Sequence, residues 1–281
     1  MKKITFLLFV IAFCFAGCSN ESEIILDKNE VEPTTANVEQ FKVLKEDFVK
    51  LNEWYVCEDV HTRNIFKKFH RLLIAAAFDT ACFIIDGNFG TSISVSKLVY
   101  DILKDWEDKK EKKDSDKALK QGALIDVDPK SAGYVHNLAI INMYNEYGDS
   151  LKLLTTKELL NVSNREVSNI TGQIYMAATD ESCELIDNIA AKFNPELSVS
   201  ENIQSVKSII TDETVKEELD VCGIFLEGLQ MVDDNDTTYV SSAIELIDNS
   251  QLTPSQKMRM KESLSIGYAS AKLWNTPIVE E

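Results

Sequence analysis

Turn formers are scarce in this sequence, with ten glycines and five prolines among 281 residues. So few leave little room for the tight turns of a strand-rich fold. Histidine is scarcer still, at three residues, which leaves little room for an elaborate catalytic apparatus. The G-x-S-x-G elbow, the P-loop, HExxH and the glycine-rich dinucleotide fingerprint are all missing, and no motif requires an organic cofactor. Basic residues are outnumbered 46 to 29, for a formal charge of −17. Nucleic acid and anionic lipid surfaces are recognised by clustered Lys and Arg, so neither is expected as a partner. The balance favours solubility and an attraction for cations or basic partners.

No hydrophobic run is long enough to cross a bilayer, which takes about twenty residues. The longest, ITFLLFVIAFCFA at 4–16, follows Lys2 and Lys3 and ends in small residues. That is the layout of a secretory signal peptide. The segment FAGC resembles a lipoprotein signal, with Ala16 and Gly17 at its small positions and Phe15 where leucine is commonest. The resemblance implies cleavage after residue 17 and lipid on Cys18, which would tether the protein to a membrane. More than one acyl chain is needed for a stable anchor. Loss of Lys2 and Lys3 takes the mature charge to −19. Ser19 is not the aspartate that resembles an inner-membrane retention signal, so the outer membrane is the expected address, with its periplasmic and surface faces both open. The polar stretch after Cys18, interrupted by Pro33, suits a flexible spacer.

The remaining chain repeats apolar residues at spacings of three and four, which predicts an all-α, multi-helix bundle, with two helical halves a further option. Residues 1–17 are expected to be the signal, 18–37 the tether, 38–121 a first helical region, 122–134 a connecting loop, 135–275 a second helical region, and 276–281 a tail. In the first region Val38, Phe41, Leu44, Phe48, Leu51 and Tyr55 share a helix face. Residues 61–86 begin amphipathic and become apolar nearly all round, as for a helix at the centre of a bundle, and Asp79 interrupts the apolar run. Gly87 and Gly90 mark a break. Ile93, Leu98, Ile102 and Trp106 then form the next expected face. DWEDKKEKKDSDK at 105–117 holds six acids and five lysines with no apolar face. In the second region TTKE at 155–158, SVSE at 198–201 and TPSQ at 253–256 read as capping boxes. Val215, Leu219, Cys222, Leu226 and Leu229 line up as a buried face, and Gly223 and Gly228 beside them suggest close helix packing. Cys57, Cys82, Cys183 and Cys222 are either paired in two bridges, by one of three pairings, or buried free thiols.

Few clusters carry chemistry. DVDPKSAGYVHN brings Asp126, Asp128 and His136 together around a turn, where two carboxylates and an imidazole can bind a divalent metal or act as an acid–base pair. Ordinary turn and helix-start chemistry explains the same residues. Cys57 and His61 are four apart, and DDNDTTYVSSAIE can be counted against a calcium loop, but its sixth position is Tyr239 where glycine is needed. GYVHN at 133–137 is similar to a G-x-x-H-N signature that opens a helix in a loose group of uncharacterised bacterial exported proteins. In that group it often follows an alanine-rich helix containing aspartate, and AAAFDTACF around Asp79 resembles that element, with cysteine and phenylalanine where glycine is usual. The likeness covers about a quarter of the chain. It carries no established activity and implies that Asp79, Gly133, His136 and Asn137 are structurally coupled.

The expected function is therefore that of a membrane-anchored envelope lipoprotein acting as a non-catalytic binding or scaffolding module, with an unidentified protein or other macromolecule as partner. Two alternatives stay open. One is a divalent-metal binder or metal-dependent enzyme built on Asp126, Asp128 and His136. The other is a glycan-binding component of nutrient uptake, in which Trp54, Trp106 or Trp274 could stack on sugars; for Trp54 and Trp106 core packing is the default.

Overall fold

Apolar residues recurring every three or four positions become helices here, and the helix ends follow the capping residues. The computed structural model describes residues 35–58, 70–108, 131–232 and 237–275. Among them are ten α-helices and no strand: α1 (Thr35–Glu58), α2 (His70–Asp86), α3 (Phe89–Asp108), α4 (Ala132–Tyr147), α5 (Thr156–Thr171), α6 (Asp180–Ala190), α7 (Val199–Lys207), α8 (Glu213–Leu229), α9 (Thr238–Asn249) and α10 (Pro254–Asn275). A 3₁₀ turn, Gly148–Leu153, follows α4. No described helix is long and apolar enough to cross a membrane. The signal segment, Cys18, Asp126, Asp128, His61 and the tail at 276–281 lie outside the described residues.

Two expected boundaries move. Helix α1 starts at Thr35, inside the range assigned to the tether. Helix α4 starts at Ala132, inside the expected loop 122–134, because the Ser131 hydroxyl accepts the Tyr134 N–H and ends the non-helical chain there. The three capping boxes are present. Thr155 with Glu158 and Ser198 with Glu201 exchange side chain–backbone bonds. Thr253 and Gln256 do the same at 2.9 and 3.3 Å. Helix α2 ends where Gly87 takes a φ of 68°, and its N–H bonds back to the Phe83 carbonyl at 2.7 Å.

Helix α2 is the axis. From Leu73 to Ile84 it is buried on every side, and α3, α6, α7, α8 and α10 pack around it. Helices from both sides of residues 122–134 interleave: α1 lies on α8, α2 on α10, and α3 on α5. The described residues thus belong to one compact unit, and the two sequence halves do not fold apart. The reason is that α2, apolar all round, needs partners on every face and draws them from the whole chain. Helix α1 buries Phe41, Leu44 and Phe48, each worth about 2 kcal/mol on transfer from water. It is pinned at its edge by Lys45, which bonds Glu217 at 2.7 Å and Asp220 at 3.2 Å. Cys82, Cys183 and Cys222 carry free thiols, the first and last buried in the core, so these three form no bridge with one another. Trp54 corrects the core-packing expectation: it is 52% exposed, off the buried stripe of α1, with its ring edge-on to Tyr55.

The two glycines of α8 differ. A Cβ at Gly223 would make ordinary contact with Ile203, at 3.5 Å. A Cβ at Gly228 would overlap the Tyr239 hydroxyl and the Asn52 side-chain oxygen. Those groups are bonded: Tyr239 donates to Asn52 Oδ1 (2.8 Å), and Asn52 donates to the Ile224 carbonyl (2.8 Å), which ties α1 and α9 to α8. Gly228→Ala should therefore destabilise by roughly 2–4 kcal/mol in urea titration, despite the ~1 kcal/mol that alanine brings to a helix. Gly223→Ala, by the same measurement, should be neutral or stabilising.

Candidate functional site

The residues of the candidate site come from four helices that meet at the middle of α2. Asp79 sits on α2 in an otherwise apolar run and is completely buried. A buried carboxyl must find donors, and α3 supplies them. Ser96 donates to Asp79 Oδ2 at 2.9 Å, and Ser92 donates to the Asp79 main-chain carbonyl at 2.8 Å. From α10, Ser270 makes a short hydrogen bond to the same Oδ2. This demand rotates α3 away from the apolar face expected of it. Ser92, Ser94 and Ser96 are buried with Ile93, Val95, Val99 and Leu103, whereas Ile102 is 41% exposed.

Helix α4 brings the imidazole. His136 is wholly buried, with Nε2 3.8 Å from Asp79 Oδ2. Its Nδ1 lies 3.1 Å from Asn137 Oδ1, and Asn137 Nδ2 donates to the Ala269 carbonyl of α10 at 2.7 Å. Since a carbonyl can only accept, the Asn137 amide is oriented, and its oxygen takes a proton from His136 Nδ1. Nε2 of the neutral ring is then an acceptor. Gly133 is what lets α4 come this close. A Cβ there would overlap the Ser265 carbonyl oxygen and stand 2.6 Å from the Ala269 Cβ. The Gly133 N–H also meets the Ser265 hydroxyl at 3.1 Å. Asp79, Gly133, His136 and Asn137 thus lie at one junction of α2, α4 and α10.

Burial sets the charge state. Loss of water pushes the Asp79 carboxyl up to about 7, against the pull of the Ser270 and Ser96 hydroxyls. The Trp274 indole N–H pulls the same way as the serines but completes no hydrogen bond. Burial lowers His136 to about 4, with its Asn137 contact acting the other way. Around neutral pH the imidazole is uncharged. Beyond the pair, Trp274 stacks on Tyr100 with ring centroids 4.1 Å apart. Lys97, itself buried, lies over the Tyr144 ring and pairs with Asp101.

The chemistry open to this arrangement is limited by where its hydrogen bonds go. Ser96 and Ser270 donate to the carboxyl and not to the imidazole, so neither oxygen is activated as a nucleophile. Among the described residues no three His, Cys, Asp or Glu side chains come together to hold a metal ion. His136, the member of the expected metal set that is described, points into the interior with both ring nitrogens directed at Asn137 and Asp79. The calcium-loop count over 234–245 fails, because the chain is helical from Thr238 and Tyr239 is buried with its hydroxyl on Asn52. A second buried acid, Glu218 on α8, pairs with Arg259 of α10; burial raises it to about 7 while Arg259 opposes. The serines and Lys97 escaped the sequence reading because each looks like a surface residue alone. The one signal was SISVS, three serines alternating with apolar residues in a helical stretch.

No family model, no characterised protein and no solved structure matches the chain.

Proposed function

We propose that this is a lipid-anchored protein of the bacterial envelope, tethered to the outer membrane through Cys18, whose helical domain binds a protein partner without catalysing a reaction. The address is supported by the basic, apolar and FAGC succession at the N-terminus. The binding role is supported by one observation above all, the segment between α5 and α6. Residues 172–179 form no helix, and Ile174 is 91% exposed, with Met176 and Tyr175 at 57% and 46%. Exposed apolar side chains in such number normally collapse onto the core or meet a partner. Here the main chain is held in place. Asn164 of α5 donates to the Met176 carbonyl at 2.7 Å. Asn161 accepts from the Ala178 N–H at 2.9 Å and from the Tyr175 hydroxyl at 2.7 Å. A segment pre-organised in this way loses little further freedom on binding.

Two measurements test the reading. Cys18→Ser should move the protein from the membrane fraction to the soluble fraction of lysed cells; retention on the membrane would defeat the anchor. A photo-crosslinking residue at position 174 should trap one discrete adduct in cells. The same residue at Ile244, an exposed apolar position on α9, should not. No adduct at 174, or the same ladder of adducts from both positions, would defeat the docking role.

A further inference from the structure

We propose that Asp79, His136 and Trp274 hold a single water molecule, buried at the junction of α2, α4 and α10. Three side-chain atoms at this junction have no hydrogen-bond partner in the protein: Asp79 Oδ1, His136 Nε2 and Trp274 Nε1. Their residues are at most 7% exposed. A buried polar atom left unpaired costs about 1–3 kcal/mol, and three at one place are a site rather than an accident of packing.

The character of the three atoms selects the ligand. Asn137 already draws the His136 proton to Nδ1, so Nε2 is an acceptor. Asp79 Oδ1 is the carboxyl oxygen that neither serine reaches, since both donate to Oδ2, so the neutral carboxyl carries its proton on Oδ1 and donates from there. Trp274 Nε1 can only donate. Two donors and one acceptor are the complement of a water, which has two lone pairs to receive and a proton to give. A metal ion would be repelled by the indole N–H, and an anion would meet the lone pair of Nε2. The 3.8 Å between His136 Nε2 and Asp79 Oδ2 is too long for a hydrogen bond, so the imidazole does not pair with the oxygen that the serines hold, and Nε2 keeps its lone pair for the water. Buried waters typically make about three hydrogen bonds, the number offered here.

The water is thus the connection between the carboxyl on α2 and the imidazole on α4. Crystals of the full chain, at a resolution that shows ordered solvent, test this. The expected result is a density peak within about 3.2 Å of both Asp79 Oδ1 and His136 Nε2, without anomalous signal. Nitrogen NMR at pH 7 should show His136 protonated at Nδ1 and bare at Nε2. A direct hydrogen bond between the carboxyl and the imidazole, a metal ion in the peak's place, no peak at all, or a proton on Nε2 would each overturn the proposal.

Discussion

His136→Gln should lose stability relative to the wild type as pH rises from 4 to 6.5, and Asp79→Asn should gain it. The signs follow from burial. Asp79 has its carboxyl raised to about 7 in the fold from an ordinary 3.8. Its contribution is fully present below pH 3.8 and is lost as pH climbs towards 7, because the unfolded chain ionises first. His136 is lowered to about 4 from 6.5. Its contribution is present above 6.5 and is lost as pH falls towards 4. Between about pH 4 and 6.5 the two slopes are opposite, each near 1.4 kcal/mol per pH unit for one proton. In effect folding moves a proton from the imidazole to the carboxyl, and the pair leaves the wild-type stability flat in that window. Removing either partner exposes the slope of the other. Over the window the difference from wild type should change by an amount on the order of 3 kcal/mol in each variant, with opposite sign. Urea titrations at pH 4.5, 5.5 and 6.5 read it directly. Parallel curves for wild type and both variants would mean that the pair is buried as an ion pair and not as two neutral groups.

Gly133→Ala should be among the most damaging single-methyl additions in the protein, with a loss of about 2–4 kcal/mol and a fall in Tm of roughly 10 °C. The new methyl would overlap a main-chain carbonyl, that of Ser265, which cannot rotate out of the way as a side chain can. Helices α4 and α10 must then separate, and the Asn137 bond to the Ala269 carbonyl and the Gly133 bond to Ser265 are strained together. A second change makes the cause specific. Ala269→Gly added to Gly133→Ala relieves the methyl–methyl contact at 2.6 Å but leaves the carbonyl where it was. Recovery should therefore be slight, whereas full recovery would place the clash at Ala269 instead.

These predictions depend on a carboxyl and an imidazole 57 residues apart in the chain. The G-x-x-H-N resemblance named Asp79, Gly133, His136 and Asn137, but a motif cannot say what joins them. The answer involves Ser92 and Ser96 on α3 and Ser270 and Trp274 on α10, which share no pattern with the motif. Serine in a helix is ordinary on a surface, so its burial is legible only once Asp79 is known to need donors. Ile102 shows the reverse: its spacing placed it in the core, and the polar demand of Asp79 turned it out. Trp54 was likewise assigned to the core from its place on a helix face, and it lies off the stripe that α1 buries.

Local chemistry was within reach of the sequence, because it acts over one helical turn. Apolar spacing dictated that the chain is helical, Gly87 where α2 ends, and Thr155, Ser198 and Thr253 where three helices begin. Helix α2 was recognisable as central from its apolar circumference alone. Which helices surround it was a matter for tertiary structure, since shape and polar pairing between distant segments select among many helices of similar hydrophobicity. The same holds for Gly228, indistinguishable in sequence from Gly223. Only the approach of Tyr239 and Asn52 makes one of them indispensable and leaves the other free to carry a methyl.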